Sequence, residues 1–161
     1  MTFSKLILTT VSCFILLTSC EESIKTKTEK KKGYNAELAS KLAADQYGMS
    51  PYVMAFLKRG PNRSQDSLTA ANLQKAHLKN IMKMAEEGSL VLAGPFMDDG
   101  DIRGIYIFNV ATVEEAKELT ESDPAIKAGR LVMELHPWYG SAAVKEINAI
   151  HKQLTKESIA E

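Results

Sequence analysis

Cysteine is nearly missing from this chain. Only Cys13 and Cys20 are present, both within the first twenty residues. From Glu21 onward there is no thiol, which excludes a disulfide, a thiolate metal site and a cysteine nucleophile there. Net charge is missing too. The 20 Lys and Arg balance the 20 Asp and Glu. The basic footprint of a nucleic-acid binder is therefore absent, and no nucleic acid is expected as a partner. The apolar run from Leu6 to Leu17 falls short of the roughly 20 residues that a spanning helix needs. Histidine is scarce, and His77, His136 and His151 show no metal-ligand spacing. Asp98, Asp99 and Asp101 surround Gly100 but lack the distal glutamate of a calcium loop, so a turn is expected. No metal and no organic cofactor is implied.

What the N-terminus does contain is an address. Lys5 precedes Leu6–Leu17, which has the form of a signal-peptide h-region. The run ends in Leu17-Thr18-Ser19-Cys20. This resembles the bacterial lipoprotein box, in which small residues precede a cysteine that receives lipid and becomes the new N-terminus. An ordinary secretory signal cut at small residues is the plainer alternative. The box leads us to expect a lipoprotein signal peptide over residues 1–19 and lipidation at Cys20. The protein would then be held to a membrane of the bacterial cell envelope by lipid, on its periplasmic or outer-membrane side, without spanning it. Residues 20–34 are rich in Lys, Thr and Glu and cannot bury a face, so they read as a flexible tether.

The remainder reads as one domain with terminal additions. Asn35 caps a short helix, with Gly48 as its stop signal, giving an N-terminal helical segment over 35–50. Tyr52 to Leu57 is a strand, and Arg59 to Ser67 a polar loop. Leu68 to Glu87 is a long helix. At about 100° per residue its apolar half contains two polar intruders, Gln74 and His77. Leu90 to Ala93 and Ile105 to Val110 are strands. Thr112 and Glu115 form a capping box that opens a second helix, which Ser122-Asp123-Pro124 breaks. Leu131 to Leu135 is a fourth strand, leading into His136-Pro137-Trp138-Tyr139. Residues 140–161 hold a final helix, with Val144, Ile147, Ile150 and Leu154 on one stripe.

The order over 51–139 is β-α-β-β-α-β, the α+β ferredoxin-like arrangement of an antiparallel sheet with both helices on one face. All four strands are apolar on both faces, so the second face needs a cover. A second copy of the chain, giving a homodimer, is one candidate cover, and the C-terminal helix is the other.

His77 is the central candidate for chemistry. A histidine on an apolar helix face can be a bonded core-edge residue or a proton shuttle. With both helices on one face, the segment after the second helix can approach the first, and Asp123 lies there. A carboxylate on one ring nitrogen would fix the tautomer and leave the other nitrogen to move a proton. Asp before Pro is equally what a helix N-cap looks like, and spacing does not separate the two. Arg59 and Arg63 flank Gly60-Pro61-Asn62 and suit a carboxylate or phosphate held bidentately. Gly94 permits close approach of a ligand or a helix, with Pro95 beside it. Trp138 either walls a pocket or simply packs.

Several of these residues carry a resemblance. Ala76-His77-Leu78, Leu92-Ala93-Gly94-Pro95, Asp123-Pro124 with Ala128-Gly129, and His136-Pro137-Trp138 together resemble the YciI-like (YCII-related) family, from Tyr52 to about Trp138. The resemblance implies a dimeric α+β barrel and a His–Asp dyad, His77 with Asp123, between helix and sheet. That family's fold is similar to that of muconolactone isomerases, and a related branch eliminates chloride from a chlorinated hydroxyhydroquinone. The expectation is a small lyase- or isomerase-like acid/base enzyme acting on a small organic substrate. The alternative is a non-catalytic small-ligand-binding or interaction module of the cell envelope. The candidate substrate contacts are Arg59, Gly94, Pro95 and Trp138.

Overall fold

The first strand is longer at both ends than its apolar stretch suggests. β1 runs Met49–Arg59 and pairs antiparallel with β3 (Ile102–Phe108) on one side and β4 (Leu131–Ser141) on the other. β2 (Leu90–Pro95) pairs with β3, so the sheet order is β2-β3-β1-β4. This is the ferredoxin-like order expected from the sequence. The computed structural model describes residues 33–159. The expected signal peptide 1–19, the lipidation residue Cys20 and the tether up to residue 32 lie outside the described residues. Among the described residues, no helix is long and apolar enough to cross a membrane.

One face of the sheet carries α2 (Ser67–Glu86) and α3 (Val113–Glu121). Alternation aims Val53, Ala55 and Leu57 of β1 and Tyr106 and Phe108 of β3 at these helices, where they meet Met84 of α2 and Ala116 of α3. Fully burying one such large side chain contributes about 1.5–3 kcal/mol. Asp66 caps α2 by accepting from the Thr69 N–H at 2.9 Å. Thr112 and Glu115 form the expected reciprocal capping box on α3.

The second face is partly covered by the chain itself. Tyr52, Val91 and Ile107 form a buried cluster with Trp138 and Val144 around it. Val144 belongs to a 3-10 turn, Ala142–Glu146, that precedes α5 (Ile147–Leu154). Asn148 of α5 donates to the Leu90 and Ala85 carbonyls at 2.7 and 3.3 Å, which ties this segment to β2 and α2. Further along the same face Met54, Phe56 and Ile105 stay half-buried, and Val132 is 41% exposed.

Several expected boundaries move. β2 runs on to Pro95, and β3 spans Ile102–Phe108 in place of the expected Ile105 to Val110. α1 spans only Ala36–Lys41, and residues 49–50 already belong to β1. The stop is Ala43, in the left-handed region (φ 49°), and not Gly48. The Ala44 N–H bonds back to the Ala39 carbonyl at 2.8 Å, the long-range bond of a Schellman ending. Gly48 (φ 78°) instead turns the chain into β1. β4 does not end at Leu135: His136 to Tyr139 continue the ladder opposite Met54 to Pro51. The expected C-terminal helix opens as a 3-10 turn, and its stripe is not buried, with Ile150 and Leu154 at 54% and 74% exposure.

Candidate active site

His77 sits midway along α2 on the turn that faces the sheet, and it is only 6% exposed. Asp123 lies at the break after α3, as N-cap of α4 (Pro124–Lys127), and is fully buried. The β-α-β-β-α-β order brings them together: His77 Nδ1 is 2.7 Å from Asp123 Oδ2. The other carboxylate oxygen, Oδ1, accepts from the Ala125 and Ile126 N–H groups at 2.8 and 3.4 Å. The two readings of Asp123, helix cap and dyad partner, are therefore one arrangement with an oxygen for each. Asn80, one turn after His77, adds a longer contact to Oδ2 at 3.5 Å.

Electrostatics fixes the tautomer. Burial pushes the Asp123 carboxyl up, but the bond and charge of His77 and the two α4 N–H groups together outweigh it and hold the group below the usual carboxylate range. An ionised carboxylate only accepts, so in the neutral imidazole the ring proton belongs on Nδ1 and the lone pair on Nε2. The Tyr106 hydroxyl lies 3.3 Å from Nε2 and donates to it in that tautomer. Burial, then the charge of Asp123, push the Tyr106 phenol far up, so it stays protonated. The result is a buried line, Asp123–His77–Tyr106, in which every polar atom has a partner.

His77 also lines a cavity of about 290 Å³ at the end of the sheet where β1 finishes. Arg59, Gly94 and Pro95 line it, together with Gln74 from α2. Gln74 and His77, the two polar intruders on the helix, thus meet the same space. Gly94 contributes backbone only. A side chain there would meet nothing within 4 Å, and the tight approach falls instead on Gly104, where a Cβ would lie 2.6 Å from the Gly94 carbonyl.

Trp138 does not reach the cavity. It pairs with Tyr52 across β4 and β1, ring centroids 5.5 Å apart, on the opposite face of the sheet. β4 stays regular through Pro137, so alternation puts Trp138 on the face away from His77. The sequence reading missed Tyr106, Arg103 and Arg130. Tyr106 shares its face of β3 with Phe108 and reads as core, and the two arginines enter the cavity from the start of β3 and the turn before β4, far apart in sequence. Among the described residues, no three His, Cys, Asp or Glu side chains are grouped as a metal site.

Comparison with curated proteins found no match to this chain. Among solved structures, the 5-chloro-2-hydroxyhydroquinone dehydrochlorinase from Burkholderia phenoliruptrix AC1100, in complex with 2,5-dihydroxybenzoquinone, is similar at 19% identity with a TM-score of 0.40. The match covers 53% of this chain and 92% of that one. The family model of the YCII-related domain matches residues 52–139, from within β1 to within β4. That span is more than half of the sequence and holds both His77 and Asp123, and on it the chain belongs to the YCII-related domain family.

Proposed function

We propose that this protein is a cofactor-independent acid/base enzyme, lyase- or isomerase-like, acting on a small organic substrate at His77 and Asp123. The observation that supports it best is that the buried pair borders a cavity and is not sealed in the core. In this reading His77 Nε2 accepts a proton from a carbon beside a carbonyl. The released electron pair then either expels a leaving group from the next carbon or is reprotonated at another position. Asp123 holds the imidazole in orientation and stabilises the imidazolium that forms. The Tyr106 contact, at 3.3 Å, is longer than the usual O–H bond, so the hydroxyl can yield Nε2 to a substrate.

The protein acts, in this reading, as a homodimer tethered by lipid at Cys20 to a membrane of the cell envelope. The half-covered second face, with Met54, Phe56 and Ile105 along it, supports the dimer. The Leu17-Thr18-Ser19-Cys20 box supports the tether.

One observation favours a second reading, a ligand-binding module without turnover: both ring nitrogens of His77 already have protein partners. Deuterium exchange separates the two. A panel of small keto and hydroxy acids is incubated in D2O and followed by NMR. Wild type should exchange a carbon-bound proton of at least one of them, and His77→Gln should lose about 100-fold or more of that rate. Binding without exchange in wild type, unchanged in His77→Gln, would sink the enzymatic reading.

A further inference from the structure

The chain contains four arginines against sixteen lysines. All four arginines, Arg59, Arg63, Arg103 and Arg130, line the cavity that His77 borders. No lysine lines it, and neither does any Asp or Glu. They come from four places: the end of β1, the loop after it, the start of β3 and the turn before β4. Crowding four permanent positive charges around one small space is unfavourable unless an anion answers them.

Among the described residues, only one carboxylate pairs with any of the four. Asp99, at 88% side-chain exposure on the β2–β3 turn, is shared by Arg59 and Arg103. The other two are held by neutral acceptors. Arg63 Nη1 donates to the Arg130 carbonyl at 3.1 Å, and Arg130 Nη1 donates to Gln65 Oε1 at 2.9 Å. These bonds fix the guanidiniums in place without using up their charge. A planar guanidinium with several donors in a fixed fork matches an oxyanion, whereas a lysine offers a mobile point charge. The exclusive use of arginine here fits oxyanion recognition.

We propose that this cavity binds a small organic anion, and that its carboxylate or phosphate is held by Arg63 and Arg130, with Arg59 and Arg103 at the Asp99 side of the rim. This rests on the acid/base reading only for calling the ligand a substrate; the anion site itself does not depend on turnover. The reacting end of the molecule then lies toward His77. A cavity of about 290 Å³ suits a small metabolite-sized acid or phosphate ester.

Calorimetry on the full-length chain with malonate and with methyl phosphate tests this, with chloride at equal ionic strength as control. At least one of the two oxyanions should bind saturably and chloride should not; their ratio identifies the preferred oxyanion. Arg63→Gln and Arg130→Gln should each raise Kd roughly tenfold or more. If either variant lowers the ligand-free Tm, the lysine variant at that position, which keeps the charge and loses the fork, is read in its place and should also bind more weakly. Saturable binding of neither anion overturns the proposal, as does wild-type Kd in the folded variants at both positions. His77→Gln separates this site from the catalytic reading. Anion binding retained with no proton exchange in wild type removes the enzyme and leaves the anion site. Wild-type binding in the arginine variants removes the anion site and leaves the dyad.

Discussion

At the scale of residues, Asp123 carries the most. One carboxylate closes a helix end and orients an imidazole, and it does so fully buried, so neither task can be lost alone. Its native carboxyl ionises below the ordinary value of 3.8, so its stabilisation is complete above that pH and is lost as pH falls through the depressed native value. Asp123→Asn should therefore cost roughly 2–4 kcal/mol at neutral pH, and the gap from wild type should narrow below about pH 4. Urea unfolding at pH 7 and at pH 3 checks it; an equal gap at both would refute it. His77 and Gln74 were legible in the sequence because helix periodicity exposes a polar residue on an apolar face. Asp123 was legible as two alternatives, and only the division of its oxygens resolves them. Tyr106 was not legible. Strand alternation says that it faces the helices, but its hydroxyl meets Nε2 only because of the offset of α2 along the sheet, which no local pattern encodes. Trp138 was misplaced by the same token, since a pocket wall and a packed tryptophan differ only in which face β4 presents.

At the scale of elements, the site depends on where strands end. β1, β2, β3 and β4 bring Arg59, Pro95, Gly104 and Leu131 to one rim, and the ladder register sets their spacing. Gly104 is a position with little slack, because a Cβ would press on the Gly94 carbonyl, which is backbone and cannot swing aside. Gly104→Ala should cost about 1–3 kcal/mol, while Gly94→Ala, facing open space, should stay within about 0.5 kcal/mol. Chemical denaturation of both variants tests this, and equal stabilities would show that the ladder gives way. The order of the core elements and the capping box of α3 could be read directly, because apolar runs and Thr112 with Glu115 are local signals, whereas the Asp66 cap of α2 falls inside the expected polar loop. The ends were harder. Ala43 takes a left-handed conformation that sequence reserves for glycine, so α1 stops before its visible stop signal. Nothing in His136 to Tyr139 announces strand, since Pro137 argues against it; the pairing with β1 imposes it.

At the scale of the molecule, the second face of the sheet divides into a covered part and a half-buried part. The 3-10 turn covers the part around Tyr52 and Ile107 through Val144, α5 runs on to β2 and α2, and the dimer proposed above would use the part from Met54 to Phe56 and Val132. Sedimentation of the full-length chain in detergent should give twice the chain mass, and Phe56→Glu should reduce it to one; a monomer in wild type would remove the dimer. The lipid tether predicts that the mature N-terminal peptide begins at Cys20 and carries acyl mass. Cys20→Ser should carry none and should retain residues 1–19, as intact mass spectrometry would show. One further consequence follows from how the chain ends are fastened. Lys41 pairs with Glu146 at 2.8 Å, Lys145 donates to the Leu42 carbonyl at 2.8 Å, and the Ala142 N–H donates to the Gly48 carbonyl at 2.9 Å, all at the Met49 end of β1. The arginine-lined mouth is at the Arg59 end. The eleven residues of β1 place about 35 Å between them. The domain therefore has a handle and a working end. A bead or a sensor surface attached at α1 would grip the end of the domain away from its binding mouth.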